Sequence, residues 1–149
     1  MDHSSDTLRP KYARVILKLS GEGFGQPGKA GINIDETLSI ARQAKRIIER
    51  GVQLAIVVGA GNILRGEQFS GGGEVIRKAT AHYMGMLATV LNGLALQDAL
   101  ESLQCQTRLL TAIKSPAMCS ADVKAPSGCA HVAAGCGLAL TIMAARLSH

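Results

Sequence analysis

Two short stretches hold the residues best suited to negative charge: Lys18-Leu19-Ser20-Gly21-Glu22 and Val58-Gly59-Ala60-Gly61-Asn62-Ile63-Leu64-Arg65-Gly66. In the first, the Lys18 ammonium is suited to a β- or γ-phosphate, and Gly21 has no Cβ to keep backbone N–H groups from phosphate oxygens. In the second, a turn rich in glycine leads into a helical start at Ile63 that offers N–H groups to an anion. Arg65, one turn further on, is able to fork two oxygens of one phosphate. Phosphoryl transfer asks a protein mainly for alignment of donor and acceptor and for stabilisation of charge on the moving group. Two such turns at the ends of neighbouring strands would serve that chemistry. The plainer readings are an ordinary strand lysine followed by a turn glycine, and a tight strand-to-helix turn with no ligand. The second stretch is neither G-x-G-x-x-G, since Leu64 fills the third glycine position, nor a Walker A loop, since no G-K-[ST] follows.

The elements that must position these turns follow from the apolar pattern. Residues 13–20 alternate and are rich in Val, Ile and Leu, which predicts a first strand. Residues 21–31 form a loop. Asp35 is the expected N-cap of a helix whose apolar face is Leu38, Ala41, Ala44, Ile47 and Ile48, with Gly51 ending it at the C′ position. The continuous apolar run 52–58 predicts a strand buried on both faces. Strand, helix, strand is a βαβ unit, which implies a parallel pair and a right-handed crossover.

After a loop containing Gly71-Gly72-Gly73, residues 74–103 read as one long helix, and 107–113 as a third strand. Between positions 79 and 97 the helix has no Asp, Glu, Lys or Arg, a length approaching a membrane span. His82, Thr89, Asn92 and Gln97 interrupt it, so burial against a sheet or a partner subunit is the expectation. His82 on this apolar helix reads either as a core histidine or as a hydrogen-bonding group. The segment from about 114 is rich in Ala, Gly, Ser and Cys, with a short helix expected over 138–147. The organisation is thus a disordered N-terminus over 1–12, an ordered part over 13–113 and an atypical tail over 114–149.

Composition narrows the function classes. Apolar residues make up 47% of the 149 and charged residues 18%, which describes a globular chain. The net charge is +5, but the basic residues are scattered. Only Arg42, Lys45, Arg46 and Arg50 gather, on a helix with Glu49, and read as a solvated face. With no Trp, two Tyr and two Phe, stacking platforms for nucleic acid are nearly absent, so no nucleic-acid partner is expected. No secretory signal is visible. Cys105, Cys119, Cys129 and Cys136 form no C-x-x-C pair and read as free thiols of a reducing cytoplasm. A zinc site from Cys119, Cys129, His131 and Cys136 has spacings foreign to the common frameworks.

Taken together, the residues resemble the N-terminal half of bacterial-type uridylate (UMP) kinases of the amino acid kinase superfamily. The matching pieces are Arg14-Val15-Ile16-Leu17-Lys18-Leu19-Ser20-Gly21-Glu22, the Val58-to-Gly66 stretch, and His82-Tyr83-Met84-Gly85-Met86-Leu87-Ala88-Thr89-Val90-Leu91-Asn92-Gly93-Leu94-Ala95-Leu96-Gln97-Asp98-Ala99-Leu100. The resemblance implies a three-layer α/β/α fold with a mainly parallel sheet, truncated here. It implies a cytoplasmic, homohexameric kinase that moves the γ-phosphate of ATP, with Mg²⁺, to UMP, and that answers to GTP and UTP. By motif match, Lys18 and Arg65 would be catalytic. Lys18, Leu19, Ser20, Gly21, Gly61 and Arg65 would bind ATP, and Ala60 and His82 would bind UMP. The helix over 78–103 would pack at a subunit interface, and no membrane partner is implied.

Three departures from the family pattern qualify this. The family usually has Gly at position 60, where Ala is tolerable if φ is negative. It usually has an acid at position 82, where His82 now stands, which bears on nucleoside selectivity. After Cys119 the sequence stops resembling the family, and the Gly-Thr-Gly-Asn-Pro loop is absent. Missing strands would leave an open sheet edge and an uncovered apolar helix face. The expectation is therefore an incomplete kinase, weakly active or inactive. The alternatives are a non-catalytic oligomerising remnant or a related small-molecule kinase acting on a carboxylate.

Overall fold

The computed structural model describes residues 10–64, 76–111 and 142–147. They form strand β1 (Arg14–Leu19), a short 3-10 helix (Gly21–Phe24), helix α1 (Ile34–Glu49), strand β2 (Gln53–Val58), helix α2 (Lys78–Ser102), strand β3 (Cys105–Leu110) and strand β4 (Ile142–Leu147). The four strands make one sheet in the order β1-β2-β4-β3. β1 and β2 pair in parallel, with Leu19 opposite Val58, as the βαβ pattern predicts. β4 runs antiparallel to both β2 and β3. β1, β2 and β3 therefore point the same way, with β4 antiparallel between β2 and β3, and the fold is α/β with a parallel β1–β2 pair.

The alternation of the strands decides which face is covered. Leu54, Ile56 and Val58 of β2 are buried, as are Cys105, Thr107 and Leu109 of β3. Val15, Leu17 and Leu19 of β1 pack against the same core. Ala41, Ala44 and Ile48 of α1 and Val90, Leu96 and Leu100 of α2 meet them, so both helices lie on one face of the sheet. On the opposite face Arg14, Ile16 and Lys18 are exposed. The described residues thus supply the sheet and one helical layer of the three-layer arrangement.

α1 begins at Asn33, not Asp35: the Asn33 side-chain oxygen accepts the Glu36 N–H at 3.0 Å. Both residues have capping chemistry, and Asn33 prevails because its backbone is extended, as an N-cap requires, while Asp35 already lies inside the helix. Gly51 follows the C-cap Arg50 with φ +83, as expected. Lys45 is not merely part of a solvated face. Its ammonium donates to the carbonyl of Leu103, the C-cap of α2, at 3.0 Å, and lies 3.7 Å from Glu49. A cation at that end stabilises the helix dipole and ties the two helices together.

Three elements differ from the sequence expectation. α2, expected from 74, starts at Lys78, because Arg77 is extended as its N-cap. β3 starts at Cys105 instead of 107, because Gln104 takes a left-handed φ of +64 and turns the chain within two residues of the helix end. The expected helix over 138–147 is replaced, over Ile142–Leu147, by β4. Ala, Met and Leu favour a helix locally, but here the chain meets unpaired N–H and C=O groups on two flanking strands and pairs with both. Residues 74 and 75, the Gly71-Gly72-Gly73 loop, Cys119, Cys129, His131 and Cys136 lie outside the described residues.

Candidate functional site

The carboxyl ends of β1 and β2 lie side by side, where open α/β sheets present their ligand crevices. The two glycine turns sit there in direct contact. Gly59 donates its N–H to Leu19 O at 2.9 Å, stitching the turn after β2 to the end of β1. Gly21 is buried against this turn: a Cβ on it would lie 2.6 Å from Ala60 N and collide with Gly61 N as well. A Cβ on Gly59 would come within 2.9 Å of Gly21 N. The room that Gly21 leaves is thus filled by the second turn, which lets the two turns close on each other.

A cleft of about 300 Å³ opens beside this contact. Its walls are the ends of β1 and β2 (Lys18, Val57, Val58), the turn at Gly59 and Ala60, and the first half of α2 (Ala81, His82, Gly85, Met86, Thr89). Lys18, Ala60 and His82, from three separate stretches of sequence, therefore share one cavity. Lys18 and His82 are exposed, and Ala60 is half-buried. The core-histidine reading of His82 is overturned: it is exposed and lines the cleft instead of packing in the apolar core.

The backbone donors differ from those the sequence suggested. The N–H groups of Ile63 and Leu64 both go to Ala60 O, at 3.0 and 3.1 Å, so neither is free for an anion. The N–H groups of Ala60 and Gly61 have no acceptor among the described residues. Backbone donors without an acceptor among the described residues suit phosphate oxygens, and Ala60 shares its cleft with Lys18. Among the described residues, only Gln104 combines a side chain with positive φ, so Ala at position 60 is under no backbone strain. Leu19 turns its side chain to the core and engages the turn only through its carbonyl. Ser20 is exposed at the N-cap of the 3-10 helix. Arg65 lies outside the described residues.

One pair of residues central to this geometry was not singled out in the sequence. Asn62 and Asn92 are buried and exchange side-chain amide hydrogen bonds at 3.0 and 2.7 Å. Asn92 also donates to Gly59 O at 2.8 Å, and Asn62 to Gly31 O at 3.0 Å. The available signal was Asn92 itself, an amide in an otherwise apolar helix.

Residues 13–130 match the Amino acid kinase family, well over half of the chain. The chain belongs to the amino acid kinase family. The match runs past Cys119, where the motif resemblance ended. Among solved structures, UMP kinase from Bacillus anthracis is 34% identical with a TM-score of 0.57, over 61% of this chain and 36% of that one. UMP kinase from Ureaplasma parvum is also 34% identical with a TM-score of 0.64, over 71% of this chain and 46% of that one. This amino acid kinase chain thus spans less than half the length of either structure. No helix among its described residues is long and apolar enough to cross a membrane.

Proposed function

We propose that this chain is the phosphate-binding part of a UMP kinase, built to hold UMP and ATP for transfer of the γ-phosphate. The reading is carried by one observation: Lys18, Ala60 and His82 line a single cleft at the carboxyl ends of two parallel strands. The 34% identity to two UMP kinases supports the choice of nucleotide. Lys18 draws off negative charge as the phosphoryl group moves, and the Ala60 and Gly61 N–H groups, which have no acceptor among the described residues, hold oxygens in place. The backbone from Leu19 to Gly21 borders the ATP side, and Arg65 adds a second cation. The His82 ring offers a hydrogen bond to the nucleoside of UMP. Mg²⁺ would enter the site bound to the phosphates of ATP.

The same reading extends to assembly. Tyr83, Leu87 and Leu91 recur four residues apart on α2 and are 62%, 49% and 51% exposed, an apolar stripe suited to a second copy of the chain. The stripe supports a homo-oligomer formed through the 78–103 helix; a cytoplasmic location and control by GTP and UTP are proposed from the resemblance alone. Because the chain spans only 36% and 46% of its two relatives, we expect weak turnover or none from the chain alone. The stripe equally favours a second reading, a non-catalytic oligomerising unit.

Calorimetry with UMP, Mg·ATP and acetylglutamate, alongside a coupled assay for UDP, tests these readings. Binding of UMP and Mg·ATP with little UDP formed is the expected result. Robust turnover would overturn the expectation of weak activity. Binding of acetylglutamate without UMP would move the chain to the carboxylate kinases, and binding of nothing would leave the oligomerising reading. Sedimentation as a clean monomer at micromolar concentration would eliminate that last one.

A further inference from the structure

We propose that Asn92 is a positioning residue for the phosphate turn, acting with Asn62 to set the direction of the Ala60 N–H; the inference rests on the phosphate-binding reading above. Asn92 lies at the middle of α2, remote in sequence from both turns, and is 0% exposed. Each primary amide has two hydrogens to donate. Those of Asn92 go to Gly59 O and Asn62 Oδ1, and those of Asn62 go to Gly31 O and Asn92 Oδ1. All four hydrogens are used, so the pair is closed and admits one arrangement.

The consequence falls on a peptide group that neither side chain needs to touch elsewhere. The peptide joining Gly59 to Ala60 is planar and trans, so its C=O and N–H point in opposite directions. Asn92 holds the Gly59 C=O toward α2. The Ala60 N–H is thereby aimed away from Asn92 and has no acceptor among the described residues. The Gly59 N–H is held at the same time by Leu19 O. Both peptide groups of Gly59 are therefore fixed before any ligand arrives, which is the condition for preorganised binding. Asn62 extends the restraint to the preceding loop, because Gly31 both donates its N–H to Asn62 O at 2.8 Å and accepts from the Asn62 side chain. A leucine at position 92 would suit an apolar helix better, and the buried amide pair is what positioning of this turn requires.

The test compares the full chain with Asn92→Ala, Asn62→Ala and, as a destabilised control, Ile48→Ala, a core change in α1. Amide hydrogen exchange is read at Gly31 and Gly59, with Ile56 of β2 as the internal standard, and affinity for inorganic tripolyphosphate is measured by calorimetry. Asn92→Ala should speed exchange at Gly59 and Gly31 by about tenfold or more relative to Ile56, and weaken tripolyphosphate by a similar factor. Asn62→Ala should act more on Gly31 than on Gly59, because the Asn92–Gly59 bond survives. Ile48→Ala should lower the melting temperature with affinity unchanged. The proposal fails if Asn92→Ala leaves the Gly59 amide as protected as before, or if Ile48→Ala costs as much affinity as Asn92→Ala. Absence of tripolyphosphate binding by the unsubstituted chain would instead overturn the phosphate-binding reading. The exchange data would still decide whether Asn92 restrains the turn.

Discussion

Gly21 and Ala60 meet backbone against backbone at the ends of two adjacent parallel strands, with no room for a side chain between them. This contact makes one site out of two turns that lie about forty residues apart in sequence. It also supplies a reason for glycine at position 21 that is independent of any ligand.

Gly21→Ala should therefore be destabilising by about 1–3 kcal/mol, since the added methyl has to displace backbone and not a flexible side-chain tip. Gly23→Ala, in the same 3-10 helix, places its methyl 3.8 Å from Ile40 Cδ1, an ordinary contact, and should change stability by less than about 0.5 kcal/mol. Urea unfolding of the two variants measures the difference. Equal stability of both would show that the turns separate easily.

Lys18 is exposed on β1, so removing its charge should not disturb the core. Lys18→Met should leave the melting temperature nearly unchanged and weaken tripolyphosphate by about tenfold, the loss shrinking as salt rises. Calorimetry at low and high ionic strength reads both effects. An affinity untouched by the substitution would remove Lys18 from the site.

His82 lines the cleft, and a carboxylate at that position would accept hydrogen bonds from a ribose. His82→Asp should tighten UMP relative to 2′-deoxy-UMP by several-fold, on the order of 1 kcal/mol. Competition binding of the two nucleotides measures the ratio. An unchanged ratio would place the ribose elsewhere.

Cys105 is buried at the start of β3, and burial pushes its thiol above the ordinary value of 9.0; Lys45 pulls it down less, and Glu49 raises it slightly. The folded chain therefore keeps the proton at a pH where the unfolded chain releases it. The resulting stability is fully present below the ordinary thiol range and is lost as pH rises through the raised folded value. Urea midpoints should fall above about pH 9, and Cys105→Ala should flatten that fall. Thiol alkylation of Cys105 should stay slow until the chain unfolds.

Features under local chemical control are legible in the residues alone. The β-branched runs made β1 and β2, the apolar period made the buried faces of α1, and Gly51 closed α1, because backbone sterics and side-chain burial are encoded within a few residues. The three motifs pointed to Lys18, Ala60 and His82 as site residues through the family resemblance, while the shared cleft came from the fold. Folding, by contrast, settles that Asn33 and not Asp35 caps α1, and that Gln104 starts β3 two residues early. It also turned 142–147 into a strand, because open hydrogen-bonding groups on β2 and β3 outweigh a local preference for helix. The Asn62–Asn92 pair was hidden for the same physical reason. An amide in an apolar helix reads as an interruption until the fold brings it, thirty residues away in sequence, a buried partner and the carbonyl of Gly59.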